Sequence, residues 1–550
     1  MMQDTPTAIT RKFLQANLQV HPDVVLTVLE SQDPTLIDAI IKNVPKDALV
    51  VLPRHIPGYV NERYEPPLPH APPQEESPAD AGVDGAAENA GGKSAGVEAV
   101  RGAGGSGITA DAGGESPYPK EFSRFELPED VEILAGSPSE LVSGAEYSDF
   151  AYYFRNRYTK LAKILRGRGD YLPISALTQT VRYRKQQVCI VGMVSEVRNT
   201  SKGHRIAVLE DPTDTINVLF MNPQLQAASP NRDPERDRLR QELFAEAERL
   251  IPDEVVMIKG TLSDEGTIIY SDTMFRPDIP QMNAPFRSKE PAKAVFISDV
   301  HVGSNTFLKD EWERFSDWLT TCGAKYLLIA GDVVDGIGIY PDQDKELTIP
   351  NIYRQYEVFA EMLQKLPRDM RIIVSPGNHD AIRGSEPQPA LTEVFTKHFP
   401  PNVTLVENPA LVSIHGVRVL MYHGRSYDDL IAMIPGASYN EPQNMMTEML
   451  KRRLLACTYG ERTPIFPAKE DKLVIDPIPE ILHTGHVHIT GYKKYNGVTC
   501  INAGTWQSQT SFQKQMNINP NPARAFMINL ETLSCQLYDF SGENPVLVDL

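Results

Sequence analysis

The sequence has no run of about 18 or more apolar residues, the length that a membrane-spanning helix needs, so no span is expected among its 550 residues. Its opening, MMQDTPTAITRKFLQANLQV, lacks the apolar core and the small-residue cleavage site of a secretory signal. Cysteine is scarce. Cys189, Cys322, Cys457, Cys500 and Cys535 lie far apart, and none forms a C-x-x-C pair. A disulfide framework and a zinc–thiolate centre are therefore not expected, and reduced thiols in a cytoplasmic chain are. Positive charge is also short: 54 Lys and Arg stand against 72 Asp and Glu, a net charge of −18. A field of that sign repels phosphate. Nucleic acid as a partner would need uneven charge along the chain, or divalent cations that reverse the sign locally.

The length predicts roughly three to four domains. Residues 1–55 read as a small helical module, in which DPTLIDAIIKNV sets Leu36, Ile37, Ile40 and Ile41 at helical spacing behind Asp33 as N-cap. Residues 56–135 are rich in Pro, Gly, Ala and acid with no hydrophobic period, the composition of a disordered linker. Residues 136–180 hold YSDFAYYFRNRYTKLAKILRGRG, where Phe150, Tyr153, Phe154, Leu161 and Leu165 mark one helical face. Arg155, Arg157, Lys160, Lys163, Arg166 and Arg168 interleave with them. Two readings stand: a helix facing nucleic acid through residues such as Arg155, Arg157 and Lys160, or an amphipathic helix packed on its own domain. Residues 181–285 carry short β-branched runs broken by Gly, Asp and Asn, interrupted by the acidic helix RDPERDRLRQELFAEAERL. That pattern suits an OB-fold barrel. Residues 290–550 alternate apolar runs with helical stretches, which predicts an α/β sandwich with its chemistry at the carboxyl ends of strands.

The strand ends carry that chemistry. After AVFIS come Asp299 and His301; after YLLIA comes Asp332; after RIIVS come Asn378, His379 and Asp380. His423 follows VRVLMY, and His486 and His488 follow EIL in the stretch HTGHVH. Three histidines in six residues admit a solvated loop, a metal site or an acid–base site. Carboxylate, imidazole and carboxamide at five consecutive strand ends, with almost nothing cationic, favour metal. The i, i+2 spacing of Asp299/His301 and His486/His488 predicts that each pair projects to one side of an extended segment. Mixed oxygen and nitrogen donors suit manganese, iron or zinc, and magnesium less well. Seven ligands exceed one tetrahedral ion and suit two ions about 3.5–4 Å apart that share a carboxylate. His398 and His415 are expected to be ordinary exposed histidines, His483 is expected to point away from the site, and Asp335 could support a ligand but is not assigned to the site. Arg425, two residues past His423, is a further candidate contact to nucleic acid.

The motifs D-x-H, GD, GNHD, H and GHVH over residues 292–510 resemble the calcineurin-like metallophosphoesterase superfamily. Module order, the segment FAYYFRNRYTKLAKIL, and the stretches FISDVHVGSNTF, YHGRSYDDLI and NAGTWQSQTSFQKQMNINPNP resemble the small subunits of archaeal family D DNA polymerases. The fold this implies is a helix-flanked β-sandwich behind an OB-fold barrel. The resemblance implies one ion on Asp299, His301, Asp332 and His488, and another on Asp332, Asn378, His423 and His486. It makes His379 a catalytic residue that faces the scissile phosphate and Asp380 the residue that orients it. It further implies two Mn²⁺ ions (Fe²⁺, Zn²⁺ or Mg²⁺ as alternatives) and a 3′→5′ exonuclease acting on the single-stranded 3′ end of DNA. The expected partner is a large polymerising subunit in a heterodimer, with other replication proteins as possible targets of residues 1–55. A non-catalytic assembly subunit, or an esterase for another phosphoester, remain the alternatives.

Overall fold

A computed structural model describes residues 130–138, 144–225, 233–515 and 517–550, together with 12, 19–20, 24, 28, 31, 36–44 and 50–51. The chain divides into two compact units, Met1–Ala112 and Gly113–Leu550. In the first, Leu36–Asn43 is helical, with Ile37 and Ile40 buried one turn apart. The expected cap Asp33 and most of the expected linker lie outside the described residues.

The second unit begins with β1 (Val131–Ala135), which pairs antiparallel with a strand of the sandwich, Val412 opposite Ile133. This corrects the linker boundary at 135: VEILA is a strand, and its burial comes from a partner nearly 300 residues away that no local pattern reveals. The helix α1 (Tyr147–Arg166) follows. A closed barrel is built from β2 (Gln187–Asn199), β3 (Arg205–Glu210), β4 (Thr215–Phe220), β5 (Val255–Leu262) and β6 (Ile268–Phe275), in the order β2-β3-β4-β6-β5. The acidic helix α2 (Pro234–Glu248) sits between β4 and β5 and is capped by Asp233, whose carboxylate accepts from the Glu235 N–H at 3.1 Å. Alternate residues fill the barrel, among them Ile190, Leu209, Val218, Ile258 and Ile269.

The sandwich strands and helices run in chain order as follows. β7 (Lys293–Ile297), α3 (Lys309–Leu319), β8 (Tyr326–Ala330), α4 (Ile352–Gln364), β9 (Arg371–Ser375) and β10 (Val403–Leu405) form a parallel α/β half. β11 (Ala410–Ile414), β12 (Val417–Met421), α5 (Tyr427–Met433), α6 (Pro442–Arg452), β13 (Ile481–Thr484), β14 (Thr490–Tyr495) and β15 (Val498–Ala503) come next. β16 (Arg524–Asn529), β17 (Ser534–Asp539) and β18 (Val546–Val548) close the chain. One sheet has the order β10-β9-β8-β7-β16-β17-β18 and the other β14-β15-β13-β12-β11-β1. Period two explains the layers. Ala294, Phe296, Tyr326 and Leu328 meet Val417, Val419 and Met421 between the sheets. Val295, Ile297, Leu327 and Ile329 point the other way, against Trp312 and Phe315 of α3 and Tyr356 and Phe359 of α4. The fold class is the expected one, a helix-flanked β-sandwich behind a barrel.

The barrel is fixed to the sandwich. Val191, Met193, Val255 and Met257 share a core with Met445, Met449 and Leu450 of α6. Around that core runs a chain of ion pairs: Arg276–Glu254 at 2.7 Å, Glu254–Arg452 at 3.2 Å, Arg452–Glu448 at 2.5 Å and Glu448–Arg249 at 2.8 Å.

Candidate metal centre

The donors gather at the carboxyl ends of β7, β8, β9, β12 and β13, but the expected extended segments are not what aims them. Asp299, His301, Asp332, His486 and His488 all lie just past their strands with φ of 52°, 53°, 51°, 72° and 61°. Left-handed backbone is uncommon outside glycine and costs about 1–3 kcal/mol per residue when it is imposed. The chain turns sharply at each strand end, and these turns, not strand alternation, converge the side chains. Five such residues in one place are a signature of a site that the fold holds under strain.

The geometry joins all seven expected ligands. Asp299, His301 and His488 place a donor atom each within 4.8 Å of one another, and so do Asp332, His423 and His486. His301 Nε2 is 3.0 Å from His488 Nε2, and His488 Nε2 is 3.4 Å from Asp299 Oδ1. His423 Nε2 lies 3.2 Å from Asp332 Oδ2 and 3.0 Å from Asn378 Oδ1. Asp332 Oδ2 is also 3.9 Å from His301 Nε2, so this carboxylate stands between the two groups. The second carboxylate oxygen, Oδ1, accepts the His379 N–H at 2.8 Å.

Glycine makes the convergence possible. A Cβ on Gly377 would run into the Asp332 carboxylate and backbone N, and one on Gly485 into the Asp299 carboxylate.

The donor set fits divalent cations on chemical grounds. Asp299 and Asp332 are buried with imidazoles, and among the described residues no Lys or Arg forms an ion pair with either. Burial alone would raise their carboxyls; the surrounding histidines outweigh it and hold both well below the usual range. Burial alone would lower His301 and His423. The carboxylates of Asp299, Asp335 and Asp332 push His301 up to about 10, and chiefly Asp332 pushes His423 up to about 9. Without an ion the imidazoles themselves supply the positive charge that these carboxylates face; a divalent cation would take over that charge and displace the protons. Two ring nitrogens 3.0 Å apart, close enough to share a proton, are also close enough to ligate one ion.

Three of the ligand imidazoles are oriented through Nδ1. His301 Nδ1 is 3.1 Å from Asp335 Oδ1, His423 Nδ1 donates to the Ala330 carbonyl at 2.9 Å, and His488 Nδ1 accepts the Gln513 amide N–H at 2.7 Å. Asp335 is in turn held by Gln343 at 3.0 Å and Gln507 at 2.9 Å. Asp335, unassigned from the sequence, is the supporting residue that its place three residues after Asp332, in GDVVDG, allows. Gln343, Gln507 and Gln513 carried no such signal, because tertiary structure alone brings them near.

The expected role of Asp380 is corrected. The ring of His379 does not meet that carboxylate: its Nδ1 donates to the Asp335 carbonyl at 2.8 Å. Asp380 is buried and takes the Gly377 N–H at 2.8 Å and the Tyr356 hydroxyl at 3.1 Å, so it shapes the GNHD turn instead. Burial raises Asp380 and lowers His379.

The candidate nucleic-acid residues separate. Arg157 is fully buried, bonded to Asp471 at 2.6 Å and to the carbonyls of Cys457 and Ala456, so it is not a contact to nucleic acid. Lys160 is half-buried and donates to the Asp471 carbonyl at 3.1 Å. Arg155 is exposed. Arg425 is half-buried and donates to the Gly384 carbonyl at 2.7 Å, bridging the loops that carry His379 and His423. His483 is fully buried with neither ring nitrogen hydrogen-bonded, edge-on to Phe296 at 5.2 Å, and burial lowers it to about 3. His415 is not exposed as expected but half-buried, paired with the Tyr326 hydroxyl at 2.8 Å.

Known proteins are similar to this chain in sequence. The family model for the B subunits of DNA polymerases alpha and epsilon matches residues 294–490. The DNA polymerase II small subunit of Halobacterium salinarum (strain R1) is 42% identical over 420 residues, covering 75% of this chain and 78% of that one. That of Archaeoglobus fulgidus is 44% identical over 386 residues, covering 68% and 73%. Among solved structures, Vps29 of Entamoeba histolytica superposes on 47% of this chain and 98% of its own at 14% identity, with a TM-score of 0.26, too low to argue from. The two archaeal relatives carry the assignment: the chain belongs to the small-subunit family of archaeal DNA polymerase II.

Proposed function

We propose that this chain is a metal-dependent 3′→5′ exonuclease that proofreads for a two-subunit DNA polymerase, whose large subunit is its partner. The observation that supports this most is the clustering of donors about Asp332: Asp299, His301 and His488 lie together, as do Asp332, His423 and His486, and His379 lies with His301 and Asp332. The family resemblance shares them between one ion on Asp299, His301, Asp332 and His488 and another on Asp332, Asn378, His423 and His486, which leaves His379 for the phosphate. Divalent cations bound there, with Mn²⁺ favoured by the family resemblance while the donor types leave iron and zinc open, would neutralise phosphate charge and lower the pKa of an attacking water.

The chain's own residues do the rest. Asn378 and His423 present neutral donors, so the second group carries less negative charge than the first and leaves room for a phosphodiester's own. His379, fixed through Nδ1, offers Nε2 toward the site. Burial keeps the ring neutral when the site is free, and an arriving phosphate raises its proton affinity. As an imidazolium it would hold charge on the leaving 3′-oxygen and return a proton to it. Arg425 and the exposed Arg155 are the contacts we assign to the strand. The barrel, read as an OB fold, and the C-terminal region are the surfaces we assign to the large subunit.

The test is a gel assay on 5′-labelled single-stranded DNA with Mn²⁺, using the chain alone and with the large subunit, beside His379→Ala. A ladder of shortening products from the wild type and none from the variant is the expected result. No ladder in either setting would overturn the exonuclease reading and leave an assembly subunit or another phosphoester.

A further inference from the structure

His486 is held differently from the other ligand imidazoles. His301 and His423 engage an oxygen through Nδ1, which leaves Nε2 as the donor to an ion, whereas His488 Nδ1 accepts the Gln513 amide N–H. His486 is reversed: its Nε2 lies 3.3 Å from Asp428 Oδ2. A carboxylate accepts, so Nε2 carries the proton and Nδ1 keeps the lone pair.

Asp428 is itself well placed. It starts α5, five residues after His423, and its other oxygen accepts the Tyr439 hydroxyl at 2.8 Å. The next residue, Asp429, pins the same turn by accepting the backbone N–H groups of Arg462 and Thr463 at 2.9 and 3.1 Å. On the histidine side, the His486 backbone N–H donates to Asp299 at 2.9 Å. Both ends of the Asp428–His486 pair are therefore fixed by groups other than the pair itself.

We propose that Asp428, braced by Tyr439, is a positioning residue that sets the tautomer and ring orientation of His486, so that one of the two ions binds through His486 Nδ1. The inference rests on the two-ion reading above. Carboxylate partners of this kind fix the ligand nitrogen and raise its basicity, and losing one typically costs about 10–100-fold in metal affinity.

Mn²⁺ titration of the full chain, read by the electron paramagnetic resonance of free Mn²⁺, tests it with Asp428→Ala, Asp428→Asn and Tyr439→Phe. The wild type is expected to take up two ions. Asp428→Ala should lose about 10–100-fold affinity for one ion and keep the other. Asp428→Asn keeps an acceptor oxygen and should recover most of that loss, and Tyr439→Phe should fall between. Two ions bound to Asp428→Ala as tightly as to the wild type would overturn the proposal, as would an Asn variant as weak as Ala. A wild type that binds no ion would instead overturn the two-ion reading, and this inference with it.

Discussion

Buried carboxyl groups in this fold behave in opposite ways, and the difference is what each one faces. Asp299 and Asp332 face imidazoles, which outweigh burial and hold them ionised. Glu386 is as deeply buried but faces the Tyr422 hydroxyl at 2.8 Å, with its other oxygen unpaired, and burial raises it from 4.5 to about 7. The linkage follows. Below the unfolded value of 4.5 both states hold the proton and Glu386 costs nothing. As pH rises from 4.5 to about 7 the unfolded chain releases a proton that the folded one keeps, so stability falls, by up to about 3 kcal/mol above pH 7. Glu386→Gln keeps an acceptor for Tyr422 and removes the penalty. Ion-free protein carrying Glu386→Gln should unfold at higher urea than the wild type at about pH 8 and at the same urea at about pH 4. Equal midpoints at the higher pH would show that Glu386 is ionised without cost. Asp335 gives a second expectation: Asp335→Ala frees His301 Nδ1 and should weaken ion binding about 10–100-fold with the fold intact by circular dichroism.

Elements were more legible than the geometry they impose. The five strand ends could be read from apolar runs that stop at Gly or a polar residue, and the residues beyond them are the ones that converge. Strand alternation is not the cause of that convergence. Period two governs residues 293–297 and their partners, but it ends with the strand, and left-handed turns take over at Asp299, His301 and Asp332. Nothing local marks those conformations, because non-glycine residues adopt them only when tertiary structure insists. The helix α1 shows the same limit. Its period was visible, yet Arg157 falls on the buried side, between Tyr153 and Leu161, because Asp471 waits there from the far end of the chain. A sequence window cannot show a partner 314 residues away. Arg157→Ala would leave Asp471 buried without its counter-charge, held only by the Tyr153 hydroxyl and the Leu473 N–H, a loss of about 3–5 kcal/mol. Urea unfolding should register that loss, and Arg157→Leu combined with Asp471→Leu should cost less than the sum of the single changes. Affinity for single-stranded DNA should not change, which separates this residue from exposed Arg155.

On the scale of the whole molecule, a net charge of −18 and the phosphate substrate we propose would be reconciled by where charge is placed. Many arginines are consumed internally. Arg276, Arg452 and Arg249 thread Glu254 and Glu448 into one network between barrel and α6. That leaves the donor cluster as the place where bound cations would change the sign, and it gives the barrel a fixed stance toward the site. Composition revealed the acid excess but not this partition, since pairing across domains is set by packing. The network also predicts how acid loosens the molecule. Burial would raise Glu448, but Arg452, Lys451 and Arg249 outweigh it and lower the carboxyl from 4.5 to about 2. A depressed acid contributes its full stability above the unfolded value of 4.5. As pH falls from 4.5 through about 2 the unfolded chain binds a proton first, and up to about 3 kcal/mol is lost. Glu448→Gln lacks this group at every pH. Its urea midpoint should lie well below the wild type's at about pH 6, and the two should converge as the pH approaches about 2. A gap that persists at the acid end would mean that Glu448 acts through packing alone, and that the ion network does not hold barrel to sandwich by charge.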